Sequence, residues 1–193
     1  MLHMVKMCRL ASSRGSARAI LAVILPALAL APWTVGCSTV EYADSVSQAN
    51  PLDAVESDLV GRLNDRRTMA GVPVLKVCAT LNQSASAHSD DMRDKGYLKD
   101  VGPDGSTTVT RACEAGFSAA CDGTLGMAEL LAKGNASAAP TLEQWAADTG
   151  TQPVLVDPGF VTLGVGRSMG GETAIWTLDL AAADDPSCGD AAP

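Results

Sequence analysis

Aromatic residues are scarce in this chain. Two Phe, two Tyr and three Trp make up 4% of its 193 residues, although apolar residues reach 47%. Much of the apolar share is therefore Ala, and the core must be built from small side chains. Basic residues are in deficit too, with 14 Lys and Arg against 22 Asp and Glu and a net charge of −8. Such a surface repels nucleic acid and anionic lipid heads, so no nucleic-acid partner is expected. C-x-x-C pairs are absent, and His88 is the only imidazole beyond His3. A zinc site lacks its donors, and neither a metal nor a cofactor is expected. Repeats and coiled-coil heptads are missing as well, and the length fits one domain.

No apolar run reaches the ~20 residues that span a bilayer. The longest covers residues 19–31 and is broken by Pro26, with Pro32 just after it. Lys6, Arg9, Arg14 and Arg18 precede it, and the first acid is Glu41. A basic start, a short apolar centre and small residues at the exit make a secretory signal, assigned to residues 1–36. Losing those four bases leaves ten against twenty-two acids, a net of −12 on the exported part. The exit reads Thr34-Val35-Gly36-Cys37. Gly36 and Cys37 resemble the site where bacterial lipoproteins are cleaved and acylated, whereas Thr34 stands where such sites carry an aliphatic residue. Acyl chains on Cys37 would anchor the protein in the membrane at ~0.8 kcal/mol per buried CH₂. Residues 38–50 are polar and form a tether. The expected location is extracytoplasmic, lipid-anchored or secreted.

Six Cys are present. Cys8 leaves with the signal and Cys37 is the lipidation candidate, which leaves Cys78, Cys113, Cys121 and Cys188. An even number outside the cytoplasm points to two disulfides. Cys113 and Cys121 lie close in the chain with Gly116 between them, which suits a local bridge and leaves Cys78 with Cys188. The sequence does not choose among the three pairings that four Cys allow.

A domain over residues 51–182 follows the tether, with a tail at 183–193. Asn50-Pro51 looks like a helix start, and Leu52, Val55, Leu59 and Leu63 form one apolar stripe ending near Met69 and Gly71. Val72-Pro73-Val74-Leu75 is an extended connector. Thr80-Leu81-Asn82-Gln83 fits a capping box, followed by a stripe of Leu81, Ala85, His88 and Met92 that Gly96 stops. Gly102-Pro103-Asp104-Gly105 is a turn. A short helix runs from about Thr108 to Ala115. Thr141-Leu142-Glu143-Gln144 is a second capping box, opening a helix through Trp145 to about Asp148. Two strands, 160–167 and 172–180, flank Gly170-Gly171 as a hairpin. Asp90-Asp91 and Asp184-Asp185 read as solvated surface, and the tail as loose apart from Cys188. Gly164-Val165-Gly166 has no following helix, so strand packing explains it better than a dinucleotide loop. Helices first and paired strands last give an α+β class with an antiparallel sheet.

The order of motifs resembles the CAP superfamily, the SCP domain of cysteine-rich secretory proteins and venom antigens, in its exported bacterial branch. The resemblance rests on Leu63-Asn64-Asp65-Arg66-Arg67, Gly71-Val72-Pro73-Val74-Leu75 and Ala87-His88-Ser89-Asp90-Asp91-Met92. Gly96-Tyr97-Leu98, the Gly102 turn with Ser106-Thr107, Arg111, Ala115-Gly116-Phe117 and Trp145 continue it. Asp157-Pro158-Gly159-Phe160, Leu163-Gly164-Val165-Gly166 and Trp176-Thr177 close it. It implies an α-β-α sandwich with a central antiparallel sheet. It also implies a cleft with two imidazoles and acidic neighbours, able in the family to hold a divalent metal. Here Asp100 and Thr151 stand at the two imidazole positions, and Glu129 is the nearest equivalent of the cleft Glu.

The cleft candidates are therefore His88, Asp100, Glu129 and Thr151, with no residue assigned as catalytic. Without the paired imidazoles, both metal binding and general-base hydrolysis lack their groups. His88 shares a buried stripe and reads as a satisfied core histidine. Ser86 and Ser89 do not share its helix face. The leading reading is an exported, non-catalytic CAP-domain protein binding an apolar small molecule or an envelope protein. A carboxylate- or metal-dependent hydrolase using Asp100 and Glu129, and a structural module of the envelope surface, are the alternatives.

Overall fold

The computed structural model describes residues 51–189. The segment expected to be a signal, Cys37 and the residues expected to form a tether, through Asn50, lie outside the described residues. The first helix, α1 (Ala54–Met69), starts four residues after Asn50 and is capped by Asp53. Asp53 accepts from the N–H groups of Val55 and Glu56, and Glu56 accepts from the Asp53 N–H, a reciprocal capping box. Pro51 thus precedes the helix rather than occupying its first turn.

A short strand, β1 (Lys76–Cys78), runs directly into α2 (Ala79–Lys95). Thr80 therefore lies inside the helix rather than capping it. No side chain caps this end, and the Thr80 hydroxyl meets Ser187 instead, at 2.6 Å. Gly96 ends α2 in the left-handed region, at φ 71°, as its position implies. The chain continues through α3 (Thr108–Glu114), a 3₁₀ turn at Ser118–Ala120 and β2 (Met127–Gly134). The sequence pattern marks no strand at β2, because Met, Ala, Glu, Leu and Lys favour helix. Helix α4 (Ala138–Ala147) begins one turn before Thr141. Pro140 is tolerated there because the first-turn N–H groups have no helical acceptor. The Thr141 hydroxyl donates to Ser137 O rather than capping an end. The single turn α5 (Gln152–Leu155) leads to the hairpin β3 (Thr162–Gly170) and β4 (Thr173–Ala181), and β5 (Cys188–Gly189) follows as the last described strand.

The sheet order is β2-β4-β3-β1-β5. Its centre, β2-β4-β3, is antiparallel. The short β1 runs parallel to β3, because a helical crossover rather than a hairpin joins them, and β5 returns antiparallel to β1. Leu130, Ala132, Leu163, Val165, Trp176 and Leu178 present one face to Leu59 and Leu63 of α1 and to Leu142 and Trp145 of α4. Helix α2 covers the other face. It approaches so closely that a Cβ on Gly164 would lie 2.2 Å from the Leu81 carbonyl carbon, and one on Gly166 2.2 Å from the Ser86 nitrogen. The two glycines are thus helix-on-strand contact points.

Two polar side chains hold the α1 layer to the loops. Arg67 is fully buried and donates to the carbonyls of Pro73, Leu155, Asp157 and Phe160. Asn64 bridges both backbone groups of Leu75. Disulfides join Cys78 to Cys188 and Cys113 to Cys121. The tail is more ordered than its composition implies. Asp185 is buried rather than solvated, accepting from the N–H groups of Ser118 and Ser187, while Asp184 pairs with Lys76. Among the described residues, no helix is long and apolar enough to cross a membrane.

Candidate functional site

A cleft of about 300 Å³ opens between α2 and α3. Gln83, Ser84, Ala87 and His88 line it from α2, where spacings of three and four bring them to one side. Asp104 and Ser106 line it from the turn after α2, and Arg111 and Glu114 from α3. Thr107 starts α3 through a reciprocal bond with Thr110, which sets the angle at which Arg111 projects.

Arg111 knits the wall together. Its guanidinium donates to Glu129 Oε1 at 2.6 Å, to Asp100 O at 2.9 Å and to Ser106 O at 3.0 Å. The loop, α3 and β2 are thereby fastened to one another. The Glu129 side chain is only 2% exposed. Strand alternation turns it toward the α2 side, opposite Leu130, and its direct cross-strand partner is Asp179 on β4. Asp179 is fully buried and sits opposite Gly164 on β3.

His88 is 2% exposed, and its Nε2 lies 3.0 Å from Lys99 O and 3.5 Å from Glu129 Oε2. Both neighbours are acceptors, so Nε2 carries the proton and donates to Lys99 O. Burial lowers the His88 pKa, with the nearby Glu129 charge opposing. The imidazole is accordingly neutral at pH 7. Tyr97 packs edge-on against it at 6.0 Å and donates its hydroxyl to Asp91 at 2.6 Å. Asp91 is half-buried at the cleft edge and ion-paired to Lys95, not part of a solvated surface run.

Of the four cleft residues expected from sequence, the structure brings together His88 and Glu129. The Asp100 side chain is exposed and only its carbonyl joins the site. Thr151 does not line the cleft: its hydroxyl donates to Trp145 O and its N–H to Asp148. The donor set does not fit the divalent metal of the resemblance. Among the described residues no group of three or more His, Cys, Asp or Glu is placed to hold a metal ion.

Sequence reasoning missed Asp179 and the structural part played by Arg111. A signal for Asp179 was there, since it is the lone charge in the strand and lies between Leu178 and Leu180.

A family model described as "CAP: Cysteine-rich secretory protein family" matches residues 60–180. The chain is 28% identical over 141 residues to the uncharacterized protein YkwD of Bacillus subtilis, covering 72% of this chain and 52% of YkwD. It thus spans about half the length of that curated relative. Two solved structures share the fold. An outer surface protein from Borrelia burgdorferi has a TM-score of 0.57 at 15% identity, covering 69% of this chain and 97% of that one. An extracellular SCP-domain protein from Bacillus anthracis has a TM-score of 0.55 at 21% identity, covering 68% and 44%.

Proposed function

Because the chain belongs to the cysteine-rich secretory protein (CAP) family, we propose that it is an exported, non-catalytic binding module, anchored through Cys37, whose cleft between α2 and α3 receives a polar small molecule. One observation carries this reading. The groups with catalytic potential at the cleft wall are already engaged: Glu129 by Arg111, and His88 Nε2 by Lys99 O. What the cleft presents is a set of hydrogen-bonding groups, among them Gln83, Asp104, Ser106 and Glu114. A hydrolase needs a base able to take a proton from substrate or water, and Asp100 and Glu129 do not face a common cavity. The mixed lining favours a polar ligand over the apolar one expected from the resemblance, since an apolar molecule would strip these groups of water without pairing them. Two proteins of the same fold, the outer surface protein of Borrelia burgdorferi and the extracellular protein of Bacillus anthracis, support the export reading.

Native mass spectrometry of protein purified from the cell envelope tests the proposal. The expected spectrum shows acylation at Cys37 and a bound small molecule. Ala87 is exposed and lines the cleft, so Ala87→Trp fills the space without entering the core. The bound molecule should disappear in that variant. Retention of the same molecule by Ala87→Trp, or steady substrate turnover at the cleft, would sink the reading.

A further inference from the structure

Six buried side-chain atoms among the described residues have no hydrogen-bonding partner, and five of them cluster. They are Ser84 Oγ, Arg111 Nε, Glu129 Oε2 and both carboxyl oxygens of Asp179. Such a concentration calls for a physical cause. Glu129 and Asp179 are paired directly across β2 and β4, on the face covered by α2. Side chains at such positions start from Cβ atoms about 5 Å apart. Two ionised carboxylates there would have no hydrogen to share with each other, although the Ser84 hydroxyl lies within reach of Asp179.

The surrounding charge does not balance two anions. Arg111 from α3 is the one cation in contact among the described residues, and it bonds Glu129 Oε1. From α2 come the Ser84 hydroxyl and His88, held neutral, with Asp91 of the same helix and Tyr97 just beyond its end beside the imidazole. From β3 Gly164 stands opposite Asp179 and brings no side chain. A second buried anion beside Glu129 would be left uncompensated, which strongly destabilises a fold.

We propose that Glu129 and Asp179 form a buried proton-binding site, in which one proton resides on Asp179 at neutral pH and is donated to Glu129 Oε2. The proton supplies the missing donor and leaves a single carboxylate for a single guanidinium. Desolvation first, then the Glu129 charge, drives the Asp179 carboxyl well above its ordinary value, in keeping with this assignment. The pair also links pH to the cleft. A carboxyl raised on folding stabilises the fold at low pH, and that contribution is lost as pH climbs through its folded value. Loss of the proton places a second carboxylate in competition for Arg111, which fastens the cleft wall.

Carbon-13 NMR of the disulfide-bonded protein, labelled at the Asp side-chain carboxyl, reads the proton directly. One Asp resonance should stand at the protonated position at pH 7, titrate only on the alkaline side and vanish in Asp179→Asn. The urea midpoint of Asp179→Asn should no longer fall at alkaline pH. If every Asp resonance of the wild-type protein is ionised at pH 7, the proposal fails, whether or not the variant folds. A protonated signal that emerges only after chelator treatment also overturns it, because a cation would then occupy the pair.

Discussion

Arg111 holds the Glu129 carboxylate at 2.6 Å, with the two side chains 10% and 2% exposed. The pair couples an edge strand to a helix that has little apolar surface of its own. Removing the cation leaves an uncompensated buried charge. Arg111→Met should therefore lower stability by about 3–5 kcal/mol. Chemical denaturation checks this. The double variant with Glu129→Leu should recover part of the loss, because both charges are then gone.

Helix α2 rests on bare backbone at Gly164 and Gly166, where a Cβ would meet helix backbone at 2.2 Å. The obstacle cannot rotate away as a flexible side chain could. Either Gly→Ala variant should lose roughly 3 kcal/mol or more by overpacking. Gly61 in α1 faces open space, with nothing within 4 Å of where a Cβ would stand. Gly61→Ala should instead gain roughly 0.5–1 kcal/mol from helix propensity. Equal effects at the two kinds of site, measured by urea unfolding, would contradict the packing described.

The disulfides close loops of very different size, with sequence separations of 110 and 8 residues. Loop-closure entropy assigns about 5 kcal/mol to the Cys78–Cys188 bridge and about 2.5 to Cys113–Cys121. Paired Cys→Ala variants should rank in that order in urea midpoint. The first should also free β5 and raise hydrogen exchange at position 188 and at Gly189.

Burial lowers the His88 pKa in the folded state relative to the unfolded chain. In the window below the unfolded value of about 6.5, the unfolded state therefore binds more protons. Stability contributed by neutral His88 is present above that value and is lost as pH falls through it. His88→Gln keeps a donor for Lys99 O and cannot titrate. Its stability profile should be flatter than the wild-type profile between about pH 7 and 5; superimposable profiles would exclude His88 as the source.

Elements with a strong local period were legible. The α2 stripe of Leu81, Ala85, His88 and Met92 is buried as its spacing implies, and Gly96 ends the helix. The hairpin turns at Gly171, which takes φ 66° between Gly170 and Thr173. Helix starts were read less well. Thr80 and Thr141 have capping-box spacing, yet an incoming strand in one case and an earlier turn in the other leave no free end for them to cap. Strand β2 was hidden by composition, since its helix-forming residues become extended only by pairing with β4 along their whole length.

The sequence by itself determined the class of the molecule: an even Cys count, an α+β order and the motif series of the CAP family. These are local or compositional properties, readable without knowing what touches what. The partners of each charge were decided only by the tertiary structure. Glu129 lies 18 residues from Arg111, and Asp179 reaches Glu129 only through strand register. Whether a carboxyl is ionised depends on burial and on the charge beside it, both products of long-range packing. That is why Asp100, which looked like a cleft residue, ends in solvent, while Asp179, a lone charge in its strand, ends fully buried beside Glu129.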